Sequence, residues 1–558
     1  MAAGTLATDP PASLGAGLRR ARWRGWRVAL SSWVVALVVS VPLAAVYLVL
    51  EPSSGDLAAA TYRGDLFARA GFTLWDGGWY GGHYLPGYSV LAPALGALVG
   101  ERLLLALCAV AAAGLFGLLA QRTFQSAGAR VAGASFALGV CVGLLSGRVA
   151  YGLGIAVGLL ALLVLIRGWT AVALVLAVLT SLASPVAGTF LALAGLAYAL
   201  AGTPTVPEGQ LEDGRVGWCP RPRGLALAGA ALAPIVALAV VFPEGGWEPF
   251  APSLFWPTLA GVTLIALVLP RAGRALAPGT RRMLIWGAWL YALALAGAYV
   301  LRTPVGSNAA RLGALLVAPL VAGVLWERRR LVLALLAPAL LYWQLEAPLN
   351  DFTALASDPS VNASYYAPLA GELTRLTDGG PLRVEVPMTE AHWESVYLPE
   401  HPLILLARGW ERQLDTRYDA LFYRPNLTAS AYRSWLDQNA VSYVALPDVP
   451  LDSAGEQEGQ LIARGLPYLT EVWHSMHWRL FAVRDATPLA QPPAVLTGVG
   501  PDSFTLLAPH QGAFTVRVHF TPYWTIERGP ASVHRAPGGW TQIDTHQAGI
   551  VRVGIDLL

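Results

Sequence analysis

The chain has 558 residues, of which 55% are hydrophobic and only 13% charged, with a mean hydropathy of +0.51. A soluble domain carries roughly a quarter charged residues, so much of this surface faces something other than water. A formal net charge of +3 leaves no footprint for nucleic acid. Every basic residue is arginine, the codon bias of a GC-rich genome. Cys108, Cys141 and Cys219 all precede the polar C-terminal third, which therefore has no disulfide framework.

A membrane helix needs about 20 apolar residues to cross roughly 30 Å of hydrocarbon. The runs of sufficient character are Ala29–Leu50, Leu103–Ala120, Val131–Ser146, Tyr151–Ile166, Trp169–Ala183, Val186–Ala201, Gly224–Phe242, Leu254–Leu269, Met283–Leu301, Leu312–Trp326 and Leu331–Leu345. That predicts about eleven membrane helices, the pair around Ser184 and Pro185 being two helices rather than one kinked one. Arginine excess marks the cytoplasmic side. It falls in the tail (Arg19, Arg20, Arg22, Arg24, Arg27) and in alternate connections (Arg122 and Arg130; Arg167; Arg215, Arg221 and Arg223; Arg271, Arg274, Arg281 and Arg282; Arg328–Arg330). The other connections hold Glu51, Asp56, Asp65, Asp76, Glu244 and Glu248. The expected topology is a cytoplasmic tail over 1–28, a membrane domain over 29–346 with its first outer loop at 51–88, and an extracytoplasmic C-terminus. The first apolar run exceeds a signal-peptide core of about 7–15 residues and so stays as an anchor.

Past Ala347 the composition turns polar. Leu369–Leu376 and Ala429–Gln438 read as helices, and Leu382–Val386, Leu403–Leu406 and Val441–Leu446 as strands, an α/β domain over 347–487. After the Pro-rich Thr487–Pro493 linker, the runs Ser503–Leu507, Phe514–Phe520, Trp540–Asp544 and Ile550–Ile555 predict a small β-sandwich over 488–558. There, Tyr523, Trp524 and Trp540 read as core residues before they read as a sugar-stacking surface.

The loop from Glu51 to Tyr88 carries the chemistry-bearing residues. A short helix is predicted over Leu57–Ala70, with Asp56 near its start. Asp56 reads equally as an N-cap or as a base or metal ligand. Arg63, seven residues on, shares its face; Asp65 points away from it and is four residues from Arg69, the spacing of a surface pair. Trp79, Tyr80 and His83 lie in the run WDGGWYGGHY, whose glycines suit a shaped loop that a ligand approaches, with His83 as proton donor or phosphate contact. The bland alternatives are an interfacial aromatic belt and a hydrogen-bonded structural histidine. Arg148, Arg302 and Arg311 sit on the outer side against the charge trend, where arginine suits a lipid-linked phosphate, or else salt-bridges an outer acid. His392, His401, His474 and His477 lack metal-ligand spacing, and there is no GxSxG elbow, Walker loop or GxGxxG.

A first span ending at an outer acid, a long outer loop, further spans and an outer soluble domain resemble the glycosyltransferase C superfamily. More narrowly, WYGGHYLPGY, TPVGSNAARLG, ARGWERQLD and VSYVALP resemble a group of actinobacterial membrane proteins often labelled pyruvoyl-tetrahydropterin-synthase-related. The resemblance implies an inverting transferase in the bacterial plasma membrane. Its donor would be a polyprenyl-phosphate sugar and its acceptor an envelope glycan, lipid or protein. It places Asp56 at the acid position and Asp65 as a second acid. For such a transferase the expectation is that Asp56 deprotonates or orients the acceptor hydroxyl and that Arg63, Arg302 or Arg311 holds the leaving phosphate. These acids would also ligate a divalent metal, Mg or Mn, if one is used; the chain lacks the tight DD or DxD doublet after the first span, so no cofactor is fixed. Two other functions remain: a transporter or flippase, for which the Ser181–Gly188 break is the one visible feature, and a non-catalytic envelope scaffold binding glycan or protein.

Overall fold

The structure is a computed structural model that describes residues 30–204, 218–271, 276–327 and 329–556. The tail expected over 1–28, with its arginines, and Arg215, Arg274 and Arg328 lie outside the described residues.

All the predicted apolar runs are helices: α1 (Ser32–Leu50), α4 (Glu101–Thr123), α5 (Ser126–Val142), α6 (Val149–Ile166), α7 (Thr170–Ala183), α8 (Pro185–Ala201), α9 (Pro222–Val241), α10 (Pro252–Val268), α11 (Pro278–Val300), α12 (Ala310–Leu325) and α13 (Arg330–Leu355). Among the described residues, nine helices are long and apolar enough to cross a membrane, while α7 and α8 are shorter apolar helices. Their outward faces carry bare aliphatic and aromatic side chains, among them Val38, Leu107, Val175, Trp289 and Leu335, as surfaces facing lipid do. Ser184 breaks α7 from α8: it is extended, and its hydroxyl caps α8 by accepting from Ala187 N. The last apolar helix runs on to Leu355, past the composition change at Ala347. Two helices lie between α1 and α4: α2 (Gly55–Ala70), in the segment expected as the first outer loop, and the unpredicted α3 (Ala92–Val99), beyond it.

The C-terminal part, the outer domain of the expected topology, is two packed units. The first holds five helices, α14 (Ala363–Leu376), α15 (Glu394–Tyr397), α16 (Arg412–Tyr418), α17 (Ala429–Gln438) and α18 (Glu456–Ala463). They surround strands β5 (Leu382–Glu385), β6 (Ile404–Leu406), β7 (Tyr443–Pro447), β8 (Leu469–His474) and β9 (Trp478–Val483). These lie in the order β6-β5-β7-β9-β8. β6, β5 and β7 are parallel, as short α/β crossovers require, and the β8–β9 hairpin joins antiparallel. The second unit is a sandwich. One sheet is β10 (Val495–Val499), β11 (Ser503–Ala508), β16 (Gly549–Ile555) and β13 (Trp524–Arg528); the other is β12 (Gly512–His519), β15 (Trp540–Thr545) and β14 (Ala531–Arg535). Two minor ladders complete the fold: β1 (Trp75–Asp76) with β2 (His83–Tyr84), and β3 (Thr203–Pro204) with β4 (Trp218–Cys219).

The glycine-aromatic run of the first outer loop is wedged between these bodies. Trp79 Nε1 donates to Ser395 O (3.1 Å) and Tyr80 O–H to Gly409 O (2.8 Å). Leu406 N donates to Gly78 O (2.9 Å) and His519 N to Gly81 O (2.8 Å). Gly409 is needed because any Cβ there would enter the Trp79 indole. Trp524 is buried against Phe504 and Trp75, and Trp540 stacks on His519, so both serve the core and its junction with the loop.

Candidate functional site

A cavity of about 960 Å³ lies where the helices meet the outer domain, a size that suits a substrate. Its lower wall is helical and mostly apolar, including Leu105, Val140, Ile155, Leu238, Leu315 and Trp343. Its roof is the outer-domain segment Trp410–Gln413 with Arg417.

Between them is a ring of charge. Ser54 caps α2, accepting from Leu57 N (3.3 Å). That leaves the Asp56 side chain, in the first turn, facing the cavity with about a third of its surface open. Arg148, at the start of α6, donates Nε–H to Asp56 Oδ2 (2.8 Å) and faces Asp351 at 3.8 Å. Ser146 O–H donates to the same Asp351 oxygen (2.6 Å). Arg311, in the first turn of α12, comes within 4.0 Å of Asp56 Oδ2. Among the described residues its guanidinium donates no hydrogen bond, and Tyr151 packs beside it at 5.6 Å. Burial alone would raise the Asp56 carboxyl, but Arg148 and Arg311 outweigh it and hold it below the usual carboxylate range.

Two outer-loop acids complete the wall. Glu244 accepts from Tyr84 N and from Tyr418 O–H, with Arg417 at 3.6 Å; burial pushes it up to about 7. Glu248 accepts from Ser307 O–H (2.9 Å), and burial raises it as well.

Of the residues singled out from sequence, the structure brings Asp56, Arg148 and Arg311 together. It does not bring the others. Asp65 lies off the cavity, half-buried beside Arg69 and Glu101, because a straight α2 turns it away from Asp56. Arg63 is buried, ion-paired with Glu411 and packed on Tyr88 at 4.0 Å. Arg302 is exposed over Trp247. Trp79, Tyr80 and His83 are sealed in the domain junction. Burial and Arg63 lower His83 to about 3, leaving it a neutral core histidine away from the cavity lining. Sequence reasoning missed Asp351, Glu248 and the roof residues Trp410 and Arg412. The signal for Trp410 and Arg412 was ARGWERQLD, which ends a buried strand in a charged, aromatic segment.

The residues present do not fit a divalent cation. Asp56 and Asp65 cannot reach one point. Two guanidiniums occupy the approach to Asp56 that a cation would need, and no group of three or more ligating side chains converges among the described residues. What the site offers is a cationic pair steadied by carboxylates, the chemistry of phosphate recognition.

No family model and no curated protein matches the chain. Among solved structures it is similar to the oligosaccharyltransferase of Archaeoglobus fulgidus. The form tethered with an acceptor peptide containing the NVT sequon shares 15% identity, with 75% of this chain and 69% of that chain covered and a TM-score of 0.42. The apo form shares 14% identity over 76% and 70%, with a TM-score of 0.43. The archaeal oligosaccharyltransferase AglB in complex with an inhibitory peptide and a dolichol-phosphate shares 15% identity over 76% and 70%, with a TM-score of 0.40.

Proposed function

We propose that the chain is a multi-pass glycosyltransferase of a bacterial plasma membrane, with its outer domain extracytoplasmic, moving a sugar from a polyprenyl-phosphate donor to an envelope acceptor. One observation carries this reading: Arg311, whose guanidinium donates no hydrogen bond among the described residues, stands beside the Asp56–Arg148 ion pair in a cavity whose floor is apolar helix and whose roof is the polar outer domain. A molecule fitting both ends has a hydrocarbon tail, a phosphate and a polar head.

In this reading the tail lies along the wall near Leu105, Val140 and Ile155. Arg148 and Arg311 hold the phosphate and take up the charge that grows on it as the glycosidic bond breaks. Asp56 does not need to be the base. Its role is to orient the two guanidiniums, which would otherwise repel one another, and Asp351 steadies Arg148 from the other side. The acceptor enters under the roof between Trp410 and Arg417.

The test is transfer from radiolabelled polyprenyl-phosphate sugars to isolated cell envelopes, using the full chain in vesicles. Wild-type protein transfers the label. Asp56→Asn, folded by hydrogen exchange, loses at least about 10²-fold. Near-normal turnover by that variant rejects the role.

A further inference from the structure

The loop between α9 and α10 presents Glu248 to the cavity, and the Thr303–Arg311 segment is built around it. Glu248 N donates to Thr303 O (3.0 Å), and Ser307 O–H donates to Glu248 Oε1 (2.9 Å). Gly306 is obligatory: its φ is +39°, and any Cβ would collide with the Glu248 backbone. One turn later the same segment supplies Arg311. The motif TPVGSNAARLG therefore sets Glu248 and the Arg311 guanidinium on one frame.

The other carboxylates of the outer loops and roof on this wall are neutralised. Asp56 faces Arg148, Glu244 faces Arg417, and Glu411 faces Arg63, each within ion-pair range. Glu346, on α13, accepts from Asn350 of its own helix. Glu248 has Ser307 as its hydrogen-bond donor and, among the described residues, no ion-pair partner. The charged groups facing it at longer range are Arg412 from the roof, Arg311 from α12 and Asp56 from α2. A carboxylate that is not spent on an arginine, lies in the cavity and is held on the same frame as Arg311 is able to take a proton beside the phosphate site proposed above.

We propose that Glu248 is the general base of the transfer reaction, an assignment that rests on the glycosyltransferase reading above. The acceptor oxygen bonds to the anomeric carbon as its proton moves to a Glu248 carboxylate oxygen. The bond between that carbon and the phosphate oxygen breaks, and the electron pair leaves with the lipid phosphate, held by Arg148 and Arg311. Asp56 and Glu248 then divide the work by environment: the ion-paired acid organises the leaving group, and the unpaired one activates the acceptor. Burial, which raises Glu248 above the ordinary carboxylate range, strengthens it as a proton acceptor.

The experiment compares wild type, Glu248→Gln, Glu248→Asp and Asp65→Asn as full chains in vesicles. The readouts are label transfer from polyprenyl-phosphate sugars to isolated envelopes and, separately, binding of a polyprenyl monophosphate. Glu248→Gln is expected to lose about 10²-fold or more in transfer rate, while its affinity for the monophosphate stays within about twofold of wild type. In wild type the rate rises with pH through an acid limb, and that limb is absent from the residual rate of Glu248→Gln. Glu248→Asp recovers part of the rate, and Asp65→Asn matches wild type. Transfer by Glu248→Gln within about threefold of an active wild type, with its acid limb retained, overturns the base assignment and leaves the transferase reading standing. Failure of wild type to transfer from any such donor overturns both.

Discussion

Arg148 and Arg408 each gather carboxylates, but Arg148 does so at the wall of a cavity and Arg408 inside a sealed core. Arg408 donates to both oxygens of Asp415 (2.9 and 2.7 Å) and to Glu458 (3.3 Å), with Glu385 at 3.8 Å and Phe422 packed over its guanidinium at 4.1 Å. All three carboxylate side chains are fully buried. Around Arg148 the side chains stay about one-third exposed, and Arg311 next to it donates no hydrogen bond among the described residues. The two clusters share a chemistry and differ in access. Closed on every side, such a cluster holds a domain together; opened on one side, it becomes a receptor for an anion.

The comparison can be broken from either end. Arg408→Met would leave the buried Asp415 without its two guanidinium donors, an effect of about 3–5 kcal/mol on the outer domain. Hydrogen exchange of the β5, β7 and β9 amides in the full chain reads it out, and unchanged protection would refute the structural role. Arg311→Gln should cost about 10²–10³-fold in transfer with little change in thermal stability, since this side chain donates no hydrogen bond among the described residues.

A pH change acts on the sealed cluster in a defined direction. Burial pushes Glu458 up to about 7 despite Arg408, and Glu385 and Asp419 also lie well above the carboxylate range. Their folded values exceed the unfolded ones, so folding takes up protons. The stability these groups contribute is complete below about pH 4.5 and is lost as pH rises through 7, at about 1.4 kcal/mol per unit for each group. Outer-domain exchange should therefore be faster at pH 8 than at pH 6, and the reverse order would contradict the burial argument. The smallest effect belongs to Asp65→Asn, for which transfer and stability should both stay at wild-type values because Asp65 lies off the cavity.

The helices were legible in the sequence because an apolar run of membrane length has few other uses. The strands β5, β6 and β7 announced themselves as short apolar runs between turns, whereas β8, with its exposed Glu471 and Val472, did not. Arg148 and Arg311 could be picked out because they stand against the charge trend. Their convergence on Asp56 could not, since Asp56 and Arg148 are 92 residues apart and meet through packing alone. The run WDGGWYGGHY misled for a physical reason. Glycines that admit a ligand and glycines that admit another domain's backbone look the same in sequence, and here Gly78 and Gly81 meet Leu406 and His519. Asp351 and Glu248 were hidden because a lone acid at a helix end or in a short loop has no spacing to betray it.

In the proposed function the Asp56–Arg148–Arg311 wall receives a lipid-borne phosphate. This is tested most directly by titrating a polyprenyl monophosphate onto the purified full chain, wild type against Arg311→Gln. The account predicts saturable binding that weakens at least about tenfold in the variant, the loss of a charge-assisted contact. Equal affinity in the two proteins, or no binding to either, would contradict it.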